Sequence, residues 1–136
     1  MKRIQTCSVC LFLVLATIGV AKASSRLIIL ADMGNEPDEE QQMAHMIMCS
    51  NEFELEGLIA VSGIYLRPES KDPYRRVLHP ELFTGIIDAY AKVYPNLQKH
   101  ASGWHSPEYL HSIVASGQPG YGFEAVGEGK SSLGSE

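Results

Sequence analysis

Apolar positions along the chain fall into a few short runs. Leu27-Ile28-Ile29-Leu30 is uninterrupted by polar residues, the pattern of a strand buried on both faces of a parallel sheet. The run stops at Ala31-Asp32, and Met33-Gly34-Asn35-Glu36-Pro37 reads as a turn. From Glu39 to about Asn51 the period becomes helical, with Met43, Met46, Ile47 and Ser50 on one face. Acidic residues at the start of this helix complement its dipole, and Asp38 with Gln41 forms a candidate capping box. Phe53 and Leu55 then lead into a second apolar strand, Gly57 to Ser62. Strand, helix and strand in this order make a βαβ unit, whose crossover is right-handed.

Residues 65–76 are polar, carry Pro68 and Pro73, and read as a loop. Arg67, Lys71, Arg75 and Arg76 make it the most basic stretch after the N-terminal segment. Such a loop is either solvated or covers a substrate. A helix is expected from about Glu81 to Tyr94, with Leu82, Ile86, Ala89, Tyr90 and Val93 on one face and Pro95-Asn96 as its stop. Ser106-Pro107 starts another, with Leu110, Ile113 and Val114 as its stripe and Gly117 as its end. The pattern predicts an α/β fold around a parallel, Rossmann-like sheet.

Composition changes this picture mainly at the ends. The 136 residues are 45% hydrophobic and 20% charged, ordinary globular values. The net charge of −5 gives no basic footprint for nucleic acid. Lys2 and Arg3, the uncharged apolar stretch Cys10 to Val20 and Ala21-Lys22-Ala23 have the order of a secretory signal peptide over residues 1–23. That implies a secreted or periplasmic protein that has no membrane association once the signal is removed. Residues 24–136 would then form one domain of net charge −8. Cys49 is the one cysteine of that segment and, among Met46, Ile47 and Met48, reads as a small buried apolar residue. The Gly- and Ser-rich stretch 121–136 closes no element and is expected to mark a domain truncated at its C-terminus.

Candidate chemistry concentrates in the turn after the first strand. Asp32, Glu36, Asp38, Glu39 and Glu40 place five carboxylates within about ten residues, at a strand's carboxyl end, where α/β sheets bind ligands. Carboxylates and turn carbonyls are the oxygen donors calcium takes, and crowded carboxylates also suit a general base. A solvated acidic helix start explains the same residues without a ligand. The spacing is not that of an EF-hand. Gly129-Lys130-Ser131 fails as a phosphate loop, since Glu124 occupies the position of its first glycine. His45, His79, His100, His105 and His111 form no zinc pattern. His79, just before a helix, reads as capping or packing. Ser62, ending the second strand, is a candidate pocket residue. Trp104 and His105 are candidates to line a sugar or base pocket, with core packing as the alternative.

Four segments carry a family resemblance: RLIILADMGNEPDEEQQMAHMIMCSNEFELEGLIAVSG, HPELFTGIIDAYAKVYPNLQKHA, SPEYLHSIVASG and YGFEAVGEGKSSLGSE. Together they resemble the N-terminal part of the nucleoside hydrolase-like domain of bacterial cellulose-binding proteins. That family is in turn similar to calcium-dependent nucleoside hydrolases, which carry Asp-x-Asp-Pro-Gly-x-Asp-Asp after their first strand. The second Asp of that motif falls on Asp32, and the closing pair on Asp38 and Glu39. Leu30 and Met33 replace the first Asp and the Pro. The resemblance implies metal-assisted cleavage of an N-glycosidic bond in a nucleoside or related glycoside. Asp32 would be the base, Asp32, Asp38 and Glu39 the calcium ligands, and Asn35 and Glu36 the residues at the sugar rim. It equally implies a second possibility, a non-catalytic cellulose-binding module in which Tyr65, Trp104 and Tyr109 stack on sugar rings. A third is an inactive fragment of the domain.

Overall fold

The apolar run Leu27–Leu30 forms the centre of strand β1 (Ser25–Ala31). A computed structural model describes residues 25–125 and 127 of the protein. The expected signal peptide and the Gly129-Lys130-Ser131 triplet lie outside the described residues. Helix α1 (Pro37–Met48) follows the turn, and a 3-10 turn at Ser50–Glu52 leads into β2 (Phe53–Ala60). The loop after β2 contains a 3-10 turn at Pro73–Arg76. Then come α2 (Pro80–Leu97), α3 (Pro107–Ser112) and a short strand β3 (Val114–Ser116). The three strands form one parallel sheet in the order β1-β2-β3. The fold is α/β, and its first 36 residues are the expected βαβ unit.

The core lies on one face of the sheet. Met43 and Ile47 of α1, Phe83, Ile87 and Tyr90 of α2 and Leu110 of α3 pack on Leu55, Leu58 and Ala60 of β2. Leu27, Ile29 and Ala31 of β1 join them. The expectation that β1 is buried on both faces does not hold. Ile28 and Leu30 are 53% and 64% exposed, because the helices of the described residues pack on the other side. A β-bulge opposite Leu27 and Ile28 inserts Glu56 as an extra residue. It lets Leu55 and Leu58, three apart, both face the core. Glu56 points outward and accepts hydrogen bonds from the Arg26 guanidinium.

Three boundaries differ from the sequence pattern, each for a local reason. Helix α1 starts two residues early, because the capping box is Glu36 with Glu39 instead of Asp38 with Gln41. Each carboxylate accepts the other residue's backbone N–H, and Pro37 opens the helix. Helix α2 runs through Pro95, and its buried positions are Phe83, Ile87 and Tyr90, with Val93 exposed. Ile113 and Val114 do not extend the α3 stripe. Ile113 caps the helix and its carbonyl accepts from Leu58 N–H, which starts Val114 as β3. Three residues are too short a run to show a strand period.

Candidate functional site

Parallel strands bring Asp32, Ser62 and Gly117 to one end of the sheet. Val61 N–H donates to Ala31 C=O at 3.0 Å, and Gly117 N–H to Ala60 C=O at 2.8 Å. The turn from Asp32 is closed by Asn35 N–H donating to Asp32 C=O at 2.9 Å. Met33 points from this turn into the core and is fully buried. Gly34 has φ +88 and lies against Tyr74, His79 and Leu82, so a side chain there meets both strain and contact. The acidic turn is therefore anchored from below, and its carboxylates project from a fixed base.

Asp32, Asp38 and Glu39 line one cavity of about 530 Å³ between β1 and α1, whose apolar wall includes Leu27, Ile29, Met43 and Met46. The three residues that the sequence pointed to for base and metal chemistry thus line one cavity, but the carboxylates close enough to share an ion include Glu36 in place of Asp32. Carboxylate oxygens of Glu36, Asp38 and Glu39 lie within 4.8 Å of one another. Desolvation raises the Glu39 carboxyl above its ordinary value, and the charges of Asp32 and Asp38 add to this against hydrogen bonds from the amides of residues 36 and 39. Three hard oxygen donors fit calcium, which prefers such ligands and completes its shell with water. Two of them are also engaged in the capping box, and Asp38 accepts from Gln42 Nε2 at 3.1 Å.

The other expected site residues are placed differently. Asn35 is 5% exposed, and its Oδ1 accepts from Tyr65 N–H at 3.0 Å. It braces the acidic turn to the loop after β2 and does not stand at the rim. Glu36 is exposed and shares in the acidic cluster. The Ser62 hydroxyl donates to Gly120 C=O at 2.7 Å, holding the segment after β3 across the strand ends. Trp104 packs against the core near His105, whose Nε2 lies 2.9 Å from Phe53 C=O at the start of β2. It is therefore at the opposite end of the sheet from Asp32, roughly 20 Å away along an eight-residue strand. Tyr109 donates its hydroxyl to Leu55 C=O at 2.7 Å and stacks on His105 at that same end. Cys49 is free and half-buried.

Two further neighbours of the turn were not expected beside it from the sequence. Gly63 is one: a Cβ at this position would lie 2.0 Å from Asp32 Oδ2, so the carboxylate occupies the space a side chain would need. The Ser-Gly step ending an apolar strand was the available signal. The other is His79 with Glu81. His79 is buried, with Nδ1 2.6 Å from Glu81 Oε1 and Nε2 2.8 Å from Tyr74 C=O, and its ring stacks on Tyr74. A carbonyl cannot donate, so Nε2 carries a proton there. The Glu81 carboxyl is pushed up by desolvation, but its own amide and the hydrogen bond and charge of His79 outweigh that and hold it below its ordinary value. This pair fastens the basic loop and the start of α2 beneath Gly34.

The domain is thus a parallel α/β sheet whose first strand ends in a carboxylate-lined cavity. The chain belongs to the family described as "Cellulose-binding Sde182, nucleoside hydrolase-like domain", which matches residues 26–136. Its structure is similar to that of a nucleoside hydrolase-related hypothetical protein from Saccharophagus degradans that is associated with carbohydrate metabolism, at 39% identity and a TM-score of 0.69. That match covers 83% of this chain and 26% of the other, so the chain spans about a quarter of that protein's length. No curated protein matches the chain. Among the described residues, no helix is long and apolar enough to cross a membrane.

Proposed function

We propose that this chain carries the carboxylate half of a metal-assisted glycosyl hydrolase site that acts outside the cytoplasm on a nucleoside or related glycoside. The observation that supports this best is the shared cavity of Asp32, Asp38 and Glu39 at the carboxyl ends of the strands. Asp38, Glu39 and Glu36 would hold calcium, with Asp32 beside them. The cation would supply electrostatic stabilisation of an attacking oxygen. Asp32 is held in position by Gly63 and the closed turn. As a carboxylate it accepts a proton from water directed at the anomeric carbon, while the base leaves from an oxocarbenium-like sugar. The apolar wall of Leu27, Ile29, Met43 and Met46 excludes bulk water from that side.

A second reading is supported by the capping box. Glu36 and Glu39 satisfy the open N–H groups of α1 without any ion, which suits a non-catalytic carbohydrate-binding module with a structural turn. Calcium titration calorimetry on the full chain, beside Asp32→Ala and Asp38→Asn, separates the two. Saturable binding weakened by both substitutions supports the hydrolase reading. A cooperatively folded chain that gives no heat with calcium refutes it and leaves the binding module.

A further inference from the structure

Beyond the carboxyl ends of β2 and β3, two tyrosines each carry an arginine over one ring face. Arg75 lies 5.5 Å from the Tyr65 ring centre, and Arg67 lies 5.9 Å from that of Tyr121. The pairs are tied together by Arg67 N–H donating to Arg75 C=O at 2.8 Å. They are also tied to the sheet end, Tyr65 through Asn35 and the segment before Tyr121 through Ser62. Both rings remain open to solvent, at 50% and 42% exposure.

We propose that these two pairs form a subsite for an acidic sugar, a uronate residue of a glycan chain. The assignment rests on the reading that this protein takes a carbohydrate. An exposed aromatic face stacks on a pyranose ring, and a guanidinium fork matches a carboxylate in a way a neutral glucan cannot use. The neighbouring cations show which fork is open. Arg76 donates to the carbonyls of Ser70 and Lys71 and so holds the loop. Arg75 faces Asp72 at 3.9 Å. Arg67 has no ion-pair partner among the described residues, although the chain carries a net charge of −5. Beside an open aromatic ring, that guanidinium is placed to meet an anion from outside.

The test is calorimetry of the full chain with tetragalacturonate and with cellotetraose, at low and high salt, for the natural sequence and for Arg67→Gln and Tyr121→Ala. Both side chains are exposed, and thermal melts check that each variant stays folded. Tetragalacturonate is expected to bind about tenfold more tightly than cellotetraose and to weaken with salt. Arg67→Gln is expected to lose about fivefold or more of that affinity, and calcium binding at the acidic turn should not change. Equal affinity for cellotetraose, or an unaltered Arg67→Gln, overturns the subsite. If neither oligosaccharide binds while calcium does, the subsite is wrong and the metal reading stands. If tetragalacturonate binds through Arg67 while calcium does not bind, the subsite stands and the hydrolase reading falls.

Discussion

Replacing Gly63 by Ala tests whether the Asp32 carboxylate is held where the fold puts it. A methyl group at residue 63 would lie 2.0 Å from Asp32 Oδ2, 2.9 Å from its Cγ and 3.0 Å from its Cβ. Ordinary van der Waals contact begins near 3.4 Å, so the carboxylate must retreat by about 1.4 Å. The turn cannot follow as a unit. Met33 is locked in the core, and Asn35 is bonded to Tyr65. The strain therefore falls on the Asp32 side chain and the 63–66 turn, at about 1–3 kcal/mol of stability. Urea unfolding and calcium calorimetry are the assays. Gly63→Ala is expected to lower the unfolding free energy by about that amount and to weaken calcium at least roughly tenfold, equivalent to about 1.4 kcal/mol. Gly85→Ala is the control. Nothing lies within 4 Å of that exposed helix position, and the change should be neutral or stabilising by up to about 1 kcal/mol. In an Asp32→Ala background, most of the Gly63→Ala cost should vanish, because Oδ2 and Cγ are gone. A Gly63→Ala protein with unaltered stability and calcium affinity would refute the placement of Asp32.

Glu81→Gln removes the partner of His79. Because the folded-state Glu81 pKa is lowered, its contribution to stability is present above its reference value of 4.5 and disappears as pH falls through the lower folded value. Thermal melts should show the variant less stable at neutral pH, with the gap closing below pH 4.5; a gap that persists in acid would exclude the ion pair as its source. Trp104→Ala should destabilise the chain by on the order of 3 kcal/mol through lost packing, while oligosaccharide affinity per folded molecule stays the same. Loss of affinity in a variant that still melts cooperatively would restore Trp104 to a binding role.

What was legible in the sequence was whatever a local pattern encodes. The run Leu27–Leu30, the helical spacing of Met43 and Ile47 and the second apolar run gave the βαβ unit and its parallel pairing. The same reading put Asp32, Asp38 and Glu39 at one strand end, and they do share a cavity. What was hidden depends on distance along the chain. Asn35 looked like a rim residue because nothing local reveals that Tyr65 N–H, thirty residues on, claims its side chain. Trp104 looked like a pocket residue and does line a cleft, with residues 98–103, but one apart from the acidic turn, because sequence does not say at which end of a sheet a returning loop lands. The open face of β1 was equally invisible, since an apolar run describes a strand's side chains and not what is packed on them.

The bulge at Glu56, in the middle of β2, bears on how the chain reaches the acidic site. A strand keeps a count of two, and one additional residue changes its parity. With Glu56 present, Leu58 and Ala60 point into the core, and the chain leaves β2 in the phase that sets Gly63 against Asp32. The bulge absorbs that extra residue, since Leu55 still pairs with Leu27 and Gly57 with Ile28. Without Glu56, Leu55 and Leu58 would stand two apart, the ordinary alternation, and every later pair would be kept. Deletion of this half-buried glutamate should therefore be tolerated. The loss or gain of one residue between Leu58 and Gly63 has no such reserve: it turns the later positions over and would uncouple the acidic turn from the strand that supports it.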